Sequence, residues 1–167
     1  EGLEQRLADD ASVIVFGLGV PDPKGVFGST IGLQQRFGVE RVFDIPLAEN
    51  AVTGFAIGAA LAGKRPIMVH QRLDFALVAM DQIVNQAAKW RFAFGNTMKV
   101  PLVVRLIIGR GWGQGPQHSQ SLHSWFAHIP GLRVLMPTFP SAAKGAIVAS
   151  SKLDEPTLIL EHRWLYQ

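Results

Sequence analysis

The 167-residue sequence contains no cysteine, and this absence removes three kinds of chemistry at once. Disulfide bonds, thiolate metal ligands and cysteine nucleophiles are all excluded. Charged residues are also scarce, at 17% of the sequence against 48% hydrophobic residues. A globular domain usually carries about 25% charged residues. The deficit favours a well-buried core, or an apolar surface that faces another subunit.

Long hydrophobic runs and basic clusters are missing as well. The longest uncharged apolar run, residues 51–63, is shorter than the roughly 20 residues that a membrane-spanning helix needs. The chain does not open with a basic segment followed by an apolar one, so no secretory signal is expected and a cytoplasmic location is predicted. The net charge of +3 is spread along the chain, which argues against nucleic-acid binding despite a pI near 9.6.

Short β-branched runs alternate with longer helical patterns throughout the sequence. Strands are predicted at residues 12–16, 41–47, 66–71, 102–108, 132–136 and 157–161. Helices are predicted at residues 26–37, 50–62, 75–94 and 141–151. Several of these strands are apolar almost throughout, as expected when helices cover both faces of a sheet. The pattern predicts a single α/β domain over residues 1–167, with a doubly wound, mostly parallel sheet.

The glycine-rich segments do not match the known phosphate-binding loops. Ligands of such a sheet bind beyond the carboxyl ends of its strands, where a dinucleotide fingerprint needs three glycines opening a helix. Residues 17–22 read GLGVPD and lack the third glycine, which disfavours a Rossmann oxidoreductase. The alternating glycines from Gly109 to Gly115 lead to Pro116 rather than to a helix, so they predict an extended loop.

Glu49 and Phe75 each allow two interpretations from the local sequence. Glu49 precedes an almost uncharged helix. It is either a helix-start residue favoured by the helix dipole, or a buried carboxyl poised for proton transfer. Phe75 begins the long predicted helix, where core packing is the simpler interpretation. In the same helix Asp81, Gln82 and Asn85 form either a polar face or an interface stripe.

Among the histidines, His118 has the most distinctive surroundings. Gly, Pro and Gln precede it, Ser and Gln follow it, and it lies on the strand-end side of the sheet. His123 and His128 follow at five-residue intervals, which does not stack the three on one helix face. No carboxylate lies between Asp81 and Asp154, so no metal site is expected. A serine hydrolase is also disfavoured, because no G-x-S-x-G motif occurs.

Several motifs occur together in a recognisable order: RVFDIPLAEN and GFAIGAALAGKRPI, then DFALVAMDQIVNQAAKW, then GPQHSQSLHSWFAHIPGLRVLMPTFPSAAKG. From about residue 13 to residue 161 the chain resembles the pyrimidine-binding domain of the transketolase-like thiamine diphosphate enzymes. The resemblance is strongest to the beta subunit of the 2-oxo acid dehydrogenase decarboxylase components. It implies the thiamin diphosphate-binding fold of the pyrimidine-binding type, with thiamine diphosphate as the cofactor.

The resemblance also implies roles for four residues. Glu49 matches the family's glutamate that hydrogen-bonds a ring nitrogen of the cofactor's aminopyrimidine and so activates the cofactor, which needs a carboxyl in an apolar setting. Phe75 matches an aromatic residue that packs on the pyrimidine, and Leu47 is expected to contact the cofactor. His118 matches the histidine of the family's QHSQ loop, which handles protons on the substrate carbonyl or assists transfer to a lipoyl group.

Further implications of the resemblance concern partners. In the family a GDG-to-Asn motif on a partner domain holds the diphosphate and its Mg²⁺, and GDG does not occur in this sequence. A diphosphate-binding alpha-type subunit is therefore expected, within a homo- or hetero-oligomer that acts on a small 2-oxo acid or sugar-like substrate. Asp81, Gln82 and Asn85 match a helix near the subunit interface, and His123 and His128 are expected in packing or at the interface. The family's C-terminal domain is expected to be absent from this chain.

Two stretches depart from the family pattern, namely residues 70–73 (HQRL) and residues 109–115 (GRGWGQG). These departures leave the substrate and the acceptor open. A non-catalytic assembly or regulatory domain that keeps the fold is the alternative interpretation. The presence of both Glu49 and His118 favours the catalytic half, because an assembly module has no use for either.

Overall fold

The computed structural model describes residues 1–110 and 113–166, and these form a six-stranded, all-parallel sheet in the order β2-β1-β3-β4-β6-β5. The strands are β1 Val13–Gly17, β2 Val42–Phe43, β3 Arg65–His70, β4 Val103–Ile108, β5 Arg133–Leu135 and β6 Thr157–His162. The α-helices are α1 Gly2–Asp9, α2 Leu33–Phe37, α3 Glu49–Leu61, α4 Ala88–Ala93, α5 His123–Ala127 and α6 Pro140–Ser150. This architecture confirms the predicted α/β fold.

Helices bury both faces of the sheet, which explains why its central strands are apolar throughout. Successive side chains of a strand point to opposite faces. One face, including Phe16 and Met68, packs under α3 and the helical residues 73–93. The other face, including Val15 and Ile67, packs against α1 and α6. Within the described ranges, no helix is long and apolar enough to cross a membrane.

The helix predicted over residues 26–37 is wrong in its first half. Residues 26–32 form turns, and only α2 is helical. Phe27, Gly28 and Gly32 have φ angles of 49°, 80° and 75°, which a right-handed helix cannot contain. The helical spacing of apolar residues arises because Val26 and Leu33 both pack into the core from a turn-rich segment.

The strand predicted over residues 41–47 shortens to β2, two residues at the edge of the sheet. Beyond it, Oδ1 of Asp44 accepts hydrogen bonds from the backbone N–H groups of Gly19 and Ile45, at 3.0 and 2.8 Å. Pro46 has no N–H to donate to a sheet. Residues 44–48 therefore leave the sheet and form the loop that leads to α3.

The predicted helix over residues 75–94 is helical, but it is not one α-helix. It consists of a 3₁₀ segment Leu73–Ala79, a π-helical segment Asp81–Ala87 and then α4. In the π-helical segment, the side-chain oxygen of Gln82 faces α3 and lies 3.3 Å from where a Cβ on Gly54 would be. Segments of π-helix occur frequently at functional sites. This one faces α3, the helix that begins with Glu49.

Candidate functional site

A small cleft lies at the carboxyl ends of β1 and β3, and we call it the strand-end cleft. Its walls are Leu18, residues 45–49, residues 69–71 and Phe75. The cleft encloses about 40 Å³, little more than the roughly 30 Å³ that one water molecule occupies in the liquid. Ligand pockets usually enclose about 300–1,000 Å³. The described residues alone therefore do not enclose a ligand pocket of the usual size at this position.

Glu49 contributes a carboxylate to the strand-end cleft. It is the first residue of α3, and its side chain is partly buried. Among residues 1–110 and 113–166 its carboxylate forms no hydrogen bond or ion pair. The helix N-terminus favours a negative charge there, as one interpretation of the sequence expected. The same carboxylate lies at an apolar wall, where it is free to bind a polar group of a ligand.

Phe75 and His118 come together at this end of the sheet. Their ring centroids are 5.2 Å apart and their planes meet at 86°, so the rings lie edge to face. Phe75 follows β3 and also lines the strand-end cleft, whereas His118 lies in the loop after the neighbouring strand β4. Phe75 is only partly buried and belongs to neither core cluster of the described residues. Its ring is thus part of the site wall rather than of the core.

The family model described as "Transketolase, pyrimidine binding domain" matches residues 1–167. The chain belongs to this family. The 2-oxoisovalerate dehydrogenase subunit beta of Bacillus subtilis (strain 168) is 42% identical over 165 residues, covering 99% of this chain and 50% of the relative. The pyruvate dehydrogenase E1 component subunit beta of Staphylococcus epidermidis is 40% identical over 167 residues, covering 100% of this chain and 51% of the relative. The predicted resemblance to these beta subunits is confirmed.

Two further comparisons extend the range of relatives. The subunit beta of acetoin:2,6-dichlorophenolindophenol oxidoreductase from Cupriavidus necator is 41% identical over 176 residues, covering 99% of this chain and 52% of the relative. A solved structure described as "Split gene transketolase, inactive beta4 tetramer" superposes with a TM-score of 0.78 at 18% identity, covering 97% of this chain and 48% of that chain. That structure supports the fold alone. The pyrimidine-binding domain spans about half the length of the curated relatives it matches.

Three other residues singled out from the sequence are exposed on this pyrimidine-binding domain, namely Leu47, Asp81 and Asn85. Leu47 lies at the rim of the cleft with 75% of its surface exposed. Asp81 and Asn85 are exposed and joined by a hydrogen bond of 2.8 Å from Nδ2 of Asn85 to Oδ1 of Asp81. The exposed side chain of Leu47 is available to a ligand or to another subunit.

The remaining histidines and the glycine-rich loop are placed as follows. His123 begins α5, with its Nδ1 3.1 Å from the hydroxyl oxygen of Ser121, and His128 is exposed after the end of that helix. Part of the predicted extended loop, Gly111 and Trp112, lies outside the described residues. In the portion of the chain that the structure describes, no three His, Asp or Glu side chains are grouped to hold a metal ion.

His70 lines the strand-end cleft, although the sequence had marked it only as part of a departure from the family. It ends β3 and is buried, and its Nε2 has no hydrogen-bond partner among the described residues. Burial lowers the pKa of His70 from 6.5 to about 4. The imidazole is therefore neutral at pH 7. Its place at the end of a buried strand was the one sequence signal that could have identified it.

The lowered pKa of His70 predicts a specific acid sensitivity of the fold. Below pH 6.5 the unfolded chain binds a proton at His70, whereas the folded chain stays neutral there down to about pH 4. Stability is thus lost as the pH falls through this window, by about 3 kcal/mol in total. Urea unfolding of the wild type and of His70→Leu at several pH values measures the difference. The variant should lack this part of the pH dependence, and parallel curves for the two proteins would refute the assignment.

Proposed function

We propose that this domain is the pyrimidine-binding half of a thiamine diphosphate site, with Glu49 as the residue that activates the cofactor. The observation that carries the proposal is the partly buried, unpartnered carboxylate of Glu49 in the strand-end cleft that Phe75 also lines. A flat heteroaromatic ring fits this set of groups, because the ring plane can pack on Phe75 while a ring nitrogen meets the carboxyl. Membership of the pyrimidine-binding family supports the choice of cofactor.

Each residue of the site has a distinct task in this proposal. Bound thiamine diphosphate supplies an electron sink for cleaving a carbon–carbon bond next to a carbonyl. Glu49 would hydrogen-bond the ring nitrogen and share a proton with it, because its carboxylate lines the strand-end cleft and has no partner among the described residues. Leu47 and Phe75 pack on the pyrimidine and exclude water from it. His118, which lies against Phe75, accepts or donates a proton at the substrate carbonyl.

The small volume of the strand-end cleft supports a site completed by a partner subunit. An alpha-type subunit would close the cleft and hold the diphosphate with its Mg²⁺. The exposed side chains of Leu47, Phe55 and Val78 provide apolar surface for such an assembly. The names of these relatives refer to 2-oxoisovalerate, pyruvate and acetoin, and they support a small 2-oxo acid or a related ketone as the substrate.

Titration of thiamine diphosphate with Mg²⁺ tests the proposal without any need for the substrate. The chain is titrated alone and together with a diphosphate-binding subunit that carries the GDG motif, with calorimetry as the readout. We expect binding when the partner is present and at least 10-fold weaker binding when it is absent, since one wall of the site is then missing. Absence of binding under both conditions would favour the alternative, a domain that keeps the fold for assembly or regulation.

A further inference from the structure

Two buried, charged side chains flank the start of the segment that presents Phe75. Arg72 is 3% exposed and Asp74 is 6% exposed. Removing a charge from water costs several kcal/mol unless other groups compensate it. Both residues direct their hydrogen bonds to the loop that carries His118. Their contacts therefore identify the His118 loop as the segment that these two side chains hold.

Arg72 holds the first part of the His118 loop. Its Nη1 donates a hydrogen bond of 2.7 Å to the carbonyl oxygen of Gly109, and its Nη2 donates one to Oε1 of Gln114. Gly109 is the first residue after β4, and Gln114 precedes His118 in the same loop. One guanidinium thus fixes both the exit from the strand and a point nearer the histidine. Hydrogen bonds from a charged donor are among the stronger ones in proteins.

Asp74 holds the same loop on the other side of His118. Its Oδ1 accepts hydrogen bonds from the backbone N–H and the side-chain amide of Gln120, at 3.2 and 2.9 Å. Its Oδ2 is buried and has no hydrogen-bond partner among the described residues. Burial lowers the pKa of the Arg72 guanidinium, and the charge of Asp74 opposes that effect. The two side chains therefore bind the loop on opposite sides of His118.

Arg72 and Asp74 are also tied closely to Phe75. The backbone N–H of Phe75 donates to the carbonyl oxygen of Arg72 at 3.3 Å, within the first turn of the segment Leu73–Ala79. The ring that faces His118 and the two groups that fix its loop therefore belong to one tight turn.

We infer that Arg72 and Asp74 are positioning residues, which hold His118 edge to face against Phe75 by binding its loop on both sides. The catalytic consequence rests on the proposed function, because it requires His118 to act on the substrate. The placement itself is a property of this chain alone. Loss of this placement should lower kcat, because His118 would be misplaced, while the wall of the strand-end cleft that receives the pyrimidine stays intact.

The placement is tested by NMR on the full chain without any cofactor. Arg72→Met removes both donors and keeps the length of the side chain. Asp74→Ala removes the acceptor, and Asp74→Asn keeps an oxygen that can accept from Gln120. In Arg72→Met and Asp74→Ala we expect loss of the nuclear Overhauser contact between the rings of Phe75 and His118, and amide exchange at residues 114–120 at least 10-fold faster. Asp74→Asn should lose less of both signals than Asp74→Ala.

Arg65→Met is the matched control. Arg65 begins the same strand β3, and it binds the carbonyl oxygens of Ser151 and Leu153 at the amino end of the strand, away from the His118 loop. It should alter stability and leave the contact between Phe75 and His118 unchanged. If Arg72→Met does not fold, Gln114→Ala removes one of the same hydrogen bonds from the loop side and should speed amide exchange there. An unchanged ring contact and unchanged exchange in the folded variants would overturn the inference.

The catalytic consequence is measured on the enzyme assembled with its partner subunit. Arg72→Met should lower kcat at least 10-fold with the Kd of thiamine diphosphate changed less than twofold, and Arg72→Lys, which keeps one charged donor, should recover part of the loss. A fall in cofactor affinity in step with kcat would show general damage and contradict a positioning role. If the wild type binds no cofactor at all, the proposed function fails, whereas the ring contact still decides whether Arg72 and Asp74 position His118.

Discussion

Alanine in place of Glu49 should lower the kcat of the assembled enzyme by roughly 10²–10⁴-fold, the range that a positioned proton-transfer group usually contributes. The physical reason is that no other carboxylate lines the strand-end cleft of the described chain. Without Glu49, this wall has no carboxylate that can share a proton with the pyrimidine. Steady-state turnover with the partner subunit and a 2-oxo acid measures the effect.

Glu49→Gln separates proton sharing from simple contact. Glutamine keeps the size of the side chain and can still hydrogen-bond, but it cannot share a proton with the ring. We expect Glu49→Gln to bind thiamine diphosphate with nearly the wild-type Kd and to lose almost as much kcat as Glu49→Ala. Glu40→Gln is the matched control, because Glu40 is an exposed carboxylate in the turn before β2. Full activity in Glu49→Ala would contradict the assignment.

Replacement of His118 by alanine is expected to reduce kcat by about 10²-fold, the lower end of the range for a proton-transfer group. The rings of His118 and Phe75 lie edge to face, and His118 does not line the strand-end cleft, so its removal should leave Leu47, Glu49 and Phe75 in place there. Cofactor affinity should therefore change less than twofold. Turnover and calorimetric titration of the same preparation measure the two quantities.

The control for the His118 variant is His128→Ala, since His128 is an exposed histidine after α5. It should leave kcat and cofactor affinity at wild-type values. Loss of cofactor binding in His118→Ala would place the imidazole in the pyrimidine wall and not at the substrate. Wild-type turnover in that variant would remove His118 from the mechanism.

The sheet could be predicted from the sequence because its central strands are apolar on both faces. In a chain of alternating strand and helix patterns, a short run that is apolar throughout is best interpreted as a strand with helices on both of its faces. The errors arose where local geometry overrides spacing. Positive φ angles at Phe27, Gly28 and Gly32 turn a helix-like pattern into turns, and the side chain of Asp44 ends β2 early. The helix α1 was missed, although Leu3 and Leu7 lie on one of its faces and are buried.

The site was predictable to the extent that it depends on the ends of strands. Leu47 is the last residue of a predicted strand, Glu49 and Phe75 each follow one, and the structure places all three in one cleft. The clamp on the His118 loop was not predictable, because Arg72 and Gly109 become neighbours only once β3 and β4 pair. A buried charge looks like any other charge in a sequence. Only its burial and its partners reveal that it holds a loop.

The most direct measurement of the central claim is the rate at which the thiazolium C2 proton of bound thiamine diphosphate exchanges with deuterium, in wild-type and Glu49→Gln complexes with the partner subunit. Quenched-flow NMR follows this exchange without any substrate. If Glu49 activates the cofactor from the strand-end cleft, exchange should be accelerated over free thiamine diphosphate in the wild type and should fall by about 10²-fold or more in Glu49→Gln. Equal exchange rates in the two complexes would show that Glu49 does not perform this step.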